Sequence, residues 1–125
     1  MNTKELLSRY SAGQRDFRNL NLMAANLRNL NFSGANFSGA NFRGANLTST
    51  NLSQANLSDV NLTGANLTRA NLTRANLKNA DLTHVNLSDT NLSHAYLSDA
   101  ILPDGAGAKL ASNSPAVALS QDVVG

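Results

Sequence analysis

The sequence predicts an all-β solenoid, on three observations. A large apolar residue recurs every five positions without a slip from Phe17 to Leu102. Residues that build an ordinary core are scarce, with aromatics at 5% and no Trp. The positions between the large residues are filled by Ala, Asn, Ser, Thr and Gly. A period of five matches neither the 3.6 of an α-helix nor the 2.0 of a strand, so neither element persists. A short extended piece ending in a turn, repeated, satisfies the spacing. Such a unit cannot bury its apolar side chain alone and does so by stacking.

In chain order, residues 1–14 come first. Asn2 or Thr3 can N-cap a short helix that ends at Gly13 and presents Leu6, Leu7 and Tyr10 to the solenoid's first coil, as its lid. Residues 15–102 are the repeats. Their centres are Phe17, Leu22, Leu27, Phe32, Phe37, Phe42, Leu47, Leu52, Leu57, Leu62, Leu67, Leu72, Leu77, Leu82, Leu87, Leu92, Leu97 and Leu102, and all eighteen are expected to point inward. Two positions earlier the residue is usually Ala, with Leu20, Leu30, Val60 and Val85 as larger variants and Thr50 and Thr90 as polar ones. Alternation puts that residue inward as well and the intervening Asn outward. The remaining two residues turn the corner, where Gly34, Gly39 and Gly44 recur at the repeat period and read as turn glycines. Pro103 and Gly105 stop the repeat, and residues 103–125 read as a partly flexible tail.

The unit Ala-Asn-Leu-Xaa-Xaa, in eighteen in-register copies over 15–102, resembles the pentapeptide repeat family. The flanks Glu5-Leu6-Leu7-Ser8-Arg9-Tyr10-Ser11-Ala12-Gly13 and Ile101-Leu102-Pro103-Asp104-Gly105 are similar to those of cyanobacterial members. The resemblance implies a right-handed quadrilateral β-helix with four pentapeptides per coil and a short N-terminal capping α-helix. Eighteen repeats then make about four and a half coils, a rod on the order of 20 Å long at the usual strand spacing. Residues twenty apart become vertical neighbours. Phe32, Phe37 and Phe42 plug the N-terminal third of the bore. Asn31, Asn51, Asn71 and Asn91 form an outer ladder whose amides are expected to bond one another. Arg69 gains Asp89 one coil on as an expected ion pair.

The same geometry excludes much chemistry. No cysteine is present, which removes disulfides, thiolate metal sites and Cys nucleophiles. His84 and His94 lie two repeats apart, on opposite faces of a four-repeat coil, and cannot share a metal. Asp89 and Asp99 are likewise opposed, so a paired-acid mechanism has no geometry. A bore filled with Leu and Phe leaves no substrate cavity. No catalytic, cofactor-binding or metal-ligating residue is assigned, and the chain reads as no enzyme, without cofactor. The N-terminal stretch lacks the apolar run of a secretory signal, no segment approaches a membrane span, and the expected location is cytoplasmic.

Binding is the surviving class. Some members of the family are thought to imitate duplex DNA with acidic columns and so engage DNA gyrase. Here the outward residue is almost uniformly Asn. Within 15–102 five acids face seven bases, and a rod without net negative charge does not imitate phosphates. Direct nucleic-acid binding would rest on Arg69, Arg74 and Lys78, which lack stacking aromatics, and is disfavoured too. A neutral protein-interaction or structural scaffold with an unidentified protein partner is expected. At the last coil the outward position becomes Tyr96 and then Ile101. They are the candidate C-terminal interface, to be covered by the tail or, in a homodimer through a coil end, by a second copy.

Overall fold

The computed structural model describes residues 1–104; the tail expectation for residues beyond Asp104 lies outside the described residues. One α-helix, α1 (Thr3–Ser11), precedes the repeats. From Asp16 onward the outward residue of each repeat pairs in parallel with the residue twenty further on, from Asp16 with Asn36 to Asp81 with Ile101. The coil therefore holds four pentapeptides and has four faces. We number the faces by the first centre on each: Phe17, Leu22, Leu27 and Phe32.

The repeat at 65–69 shows why five residues suffice. Ala65 N–H closes the preceding turn on the Leu62 carbonyl at 2.9 Å. Asn66 N–H reaches one coil back to the Ala45 carbonyl at 3.0 Å, while Leu67 N–H reaches one coil on to Asn86 and Arg69 N–H to Ser88, both at 2.9 Å. The remaining donor, Thr68 N–H, is taken by the Asn66 side-chain oxygen at 3.0 Å. All five amide protons have an acceptor, which is the accounting a mostly buried backbone must meet.

Corners turn through the left-handed region. Every corner residue from Asn19 to Asp99 has positive φ, thirteen of them non-glycine, with φ between 56° and 61°. The position suits a type II turn, whose second central residue needs that conformation. Gly34, Gly39, Gly44 and Gly64 adopt it without the roughly 1–2 kcal/mol cost that a Cβ brings. Because the conformation repeats at every corner, it marks the fold and singles out no site.

The interior is close-packed. Of the eighteen centres all but Leu87 are buried, and the Ala stripe from Ala35 to Ala100 is buried with them. Leu87 is half-buried; the position stacked on it would be 107, outside the described residues. Phe17 and Phe37, one coil apart, stack with centroids 5.5 Å apart, and Phe37 meets Phe32 and Phe42 edge to face at 5.7 and 5.2 Å. Thr50 is fully buried, and its hydroxyl donates to the Leu27 carbonyl at 2.7 Å; Thr90 repeats the contact two coils on in the same column, to Leu67, also at 2.7 Å. A β-branched hydroxyl thus fits the apolar stripe because a carbonyl is within reach.

The helix closes the N-terminal end. Asn2, not Thr3, is the N-cap, its side-chain oxygen accepting from Glu5 N–H at 2.8 Å. α1 ends at Ser11, with Ala12 as C-cap and Gly13 at φ 101°. Leu6 is fully buried, and Leu7 and Tyr10 pack against the core beside it. Two side chains replace the missing coil beneath. Thr3 hydroxyl donates to the Asn26 carbonyl at 3.3 Å and Tyr10 hydroxyl to the Ser33 carbonyl at 2.7 Å, acceptors of the kind that elsewhere bond the preceding coil's N–H groups. Tyr10 is held in turn by Phe32, edge to face at 5.5 Å, and by the Arg15 guanidinium 3.7 Å above its ring.

This packing is testable at two positions. Leu67→Lys places an ammonium among fully buried neighbours at a cost of several kcal/mol, and should abolish the cooperative thermal transition. A melting curve like that of the wild type would show that the Leu67 side chain does not point inward. Asn71→Asp keeps the acceptor for Thr73 N–H and should shift stability by under about 1 kcal/mol, whereas Asn71→Ala removes it and should cost about 0.5–2 kcal/mol in denaturant unfolding.

Candidate interaction surface

The outward columns differ from the expected ladder. Asn side chains do not bond one another up the face: among the described residues, Oδ1 of each outward Asn from Asn21 to Asn91 accepts from the N–H two residues on, at 2.9–3.3 Å. Thr48, Ser58 and Thr68 hydroxyls donate to the same oxygens. The amide is spent inside its own repeat, as an Asx turn, because the donor that needs it is two residues away while the coil above supplies its own acceptors. What remains outward is a flat, uncharged array.

Two columns carry an acid instead. Asp16 accepts the Arg18 guanidinium at 2.9 and 3.0 Å, and hydrogen bonding from Arg18 holds its carboxyl below the ordinary value. Asp81 accepts from Thr83, hydroxyl and N–H, and this pair of bonds lowers its pKa, against a smaller opposing effect of burial. The expected Arg69–Asp89 ion pair is absent among the described residues. Arg69 reaches the other way, with Nε 3.5 Å from Ser49 Oγ one coil back.

Titratable groups are scattered over the corners. His84 and His94 occupy corners of the second and fourth faces, Asp89 and Asp99 corners of the third and first. Among the described residues no group of three or more His, Asp or Glu converges as a metal site would require. Charge is nevertheless polarised along the axis, a feature that totals over the whole rod conceal. Residues 1–78 hold nine Lys and Arg against three acids, and 79–104 hold Asp81, Asp89, Asp99 and Asp104 with no Lys or Arg. The order of charges in the sequence is signal enough to find it.

Among the described residues, exposure of large apolar side chains is confined to the two ends. Tyr96 is 57% and Ile101 55% exposed, and each stands in the Asn position of its column, above Asn76 and Asp81. Both continue the outward columns at the C-terminal end of the described coils, where the sequence places them. Tyr96 with Asn76, Lys78 and Ser98 borders a shallow depression of about 410 Å³ on the first face. At the other end Met1 is 42% and Met23 52% exposed. Met23 escaped sequence reasoning although it is the one large apolar residue at the first corner position of a repeat. No helix is long and apolar enough to cross a membrane among the described residues.

The Asp81 contacts set an acid-side dependence. Its folded pKa lies below the ordinary 3.8, so its stabilising contribution is complete above the ordinary value and is lost as pH falls through the lowered one. Melting temperatures measured across that window should fall less steeply for Asp81→Asn than for the wild type. Identical slopes would mean that the Thr83 contacts do not favour the carboxylate.

Comparison with known proteins fits this geometry. The family model for pentapeptide repeats matches residues 21–59 and 65–102, in eight copies. A pentapeptide repeat protein of known structure from Nostoc PCC 7120 is 36% identical, with 83% of this chain and 87% of that one covered and a TM-score of 0.48. HetL, a pentapeptide repeat protein involved in heterocyst differentiation regulation from Nostoc sp. strain PCC 7120, is also 36% identical; the match covers 80% of this chain and 46% of that one, with a TM-score of 0.35. A pentapeptide repeat protein of the Arabidopsis thaliana thylakoid lumen is 25% identical over 82% of this chain and 79% of its own, with a TM-score of 0.34. No curated protein matches the chain. With most of its length matched by the family model and the same side-chain-closed turn recurring from Asn21 to Asn91, the chain belongs to the pentapeptide repeat family.

Proposed function

We propose that the chain is a non-enzymatic scaffold, a protein-interaction or structural module that acts in the cytoplasm through the flat sides of a right-handed quadrilateral coil. Family membership supports the non-enzymatic reading, since pentapeptide repeat proteins are generally scaffolds. The observation that carries it is the use of side chains: the inward positions fill the bore, and the outward amides close their own turns. What is left on the sides is an array of mostly small neutral groups of fixed spacing, punctuated by Arg18, Arg28, Arg43 and Lys78, suited to shape-matched contact with a protein.

The alternatives are a DNA-mimicking modulator of DNA gyrase and a weak nucleic-acid binder. The first needs columns of carboxylates spaced like phosphates, and the outward columns hold only Asp16 and Asp81, the former paired with Arg18. The second needs clustered cations with stacking aromatics, and Arg69, Arg74 and Lys78 stand on three different faces, with a single aromatic, Tyr96, beside Lys78. Adding the purified protein to a gyrase supercoiling reaction should leave the product distribution unchanged, and duplex DNA should migrate unshifted at low salt. Inhibition at concentrations stoichiometric with the enzyme would overturn the scaffold reading in favour of mimicry.

A further inference from the structure

The turn bond made by sixteen successive repeats is missing at Tyr96, where it leaves a donor over. From Asp16 to Asn91 the outward side chain takes the N–H two residues on, at 2.9–3.3 Å. Tyr96 stands in that place with a ring that brings no acceptor to its own turn, and among the described residues Ser98 N–H has no partner. The next repeat also lacks Asn, but Pro103 follows Ile101 there and has no N–H to satisfy. The turn itself is unchanged, since Asp99 keeps φ at 59°. Ser98 N–H therefore points outward as its equivalents do, toward the place an Asn oxygen fills in the coils below.

That place is the depression bordered by Asn76, Lys78, Tyr96 and Ser98. Lys78 lies one coil back from Ser98, fixed by Asn79 N–H on the Ser98 carbonyl at 2.9 Å, and neither ion pair among the described residues involves it. Asn76 Oδ1 is committed to Lys78 N–H, so its side chain offers only amide protons. Backbone N–H, ammonium, amide and the Ser98 hydroxyl are thus donors without an acceptor, and the group missing from the turn, a side-chain oxygen of Asn or Asp, gives the shape of what they lack. We infer that this depression docks one carboxylate side chain of a partner protein, an Asp or Glu beside an apolar residue, with the carboxylate on Ser98 N–H and Lys78 and the apolar neighbour on the Tyr96 ring. A charged acceptor makes the stronger bond to such donors. Asp59 and Asp99 hold the far corner of the face, one coil either side of Asn79, and repel a second acid, so the site admits a single carboxylate and not an acidic run. Tyr96 borders the depression yet stays 57% exposed, so a free small acid is not enclosed and the apolar contact has to come with the carboxylate from one segment. The inference rests on the scaffold reading and names the chemistry of its partner.

Amide proton–nitrogen correlation spectra of the isotope-labelled full chain report on this proton directly. Titrated with a capped Leu-Asp-Leu peptide, the Ser98 signal should move with a dissociation constant on the order of 1 mM, while that of Ser38, whose N–H Asn36 holds at 3.0 Å, stays. A capped Leu-Asn-Leu peptide should bind about five-fold more weakly, its acceptor being neutral. Lys78→Gln should weaken the response about three-fold. Tyr96→Ala keeps the donor without the ring and should retain a weakened shift, whereas Tyr96→Asn restores the built-in acceptor and should abolish the response while the chain stays folded. A Ser98 signal that ignores the peptide, or answers Leu-Asn-Leu equally, would overturn the inference. So would an equal response to acetate, which needs no partner segment, or a displacement of the free signal by Asp122→Asn, which would give the site to this chain's own residues beyond Asp104. Each of these failures leaves the scaffold reading standing, because that reading falls only to gyrase inhibition.

Discussion

The Asn side-chain bond to the N–H two residues on is the contact on which the rest of the structure depends. A pentapeptide repeat has five amide protons, of which three go to neighbouring coils and one closes the turn. The fifth, at the first corner position, has no backbone acceptor within reach. Only a short side chain with an oxygen at the right distance can take it without adding bulk to the flat face. Asn and Asp both can, which is why Asp16 and Asp81 interrupt the column without disturbing it. With that proton satisfied, the turn leaves no buried donor unpaired; the left-handed corner itself does not require it, since Asp99 adopts the same conformation in the Tyr96 repeat.

This constraint separates interior from surface. Leu and Phe centres with the Ala stripe leave no empty bore, and the aromatic cluster of Phe17, Phe32, Phe37 and Phe42 sits where α1 covers the first coil. The end of the stack is closed by chemistry rather than by bulk alone: Thr3 and Tyr10 supply hydroxyl donors to carbonyls that lack a coil beneath them. Variation in the sequence is thereby pushed to the corners and to the two end coils. Charge polarity along the axis, and the apolar groups Met23 and Ile101 on one face, are what that freedom has produced in this chain.

A rod whose bore is filled by its own centres meets a partner through its sides and ends, and the depression beside Tyr96 lies on one such side. Specificity must come from which corner residues share a face. Coil spacing fixes their separation along a column, and rigidity keeps it fixed, so a partner loses little entropy in finding the complementary arrangement.

The five-residue period by itself determined the solenoid, the inward centres and the turn glycines, the N-terminal residues the helical lid, and the resemblance to pentapeptide repeats the four columns, because each depends on residues close in sequence or on the repeat unit. Tertiary structure decided what meets across coils. Whether an amide reaches its vertical neighbour or folds back on its own turn depends on where the nearest unsatisfied donor lies. Arg69 turned toward Ser49 instead of Asp89, and Thr50 entered the core on the strength of the Leu27 carbonyl. Tyr96 and Ile101 were legible as apolar residues in the outward position, and pairing with Asn76 and Asp81 keeps them in that column. The physical reason is common to these cases: the period fixes geometry within a repeat, while contacts between coils depend on strand spacing and corner direction that no single repeat encodes.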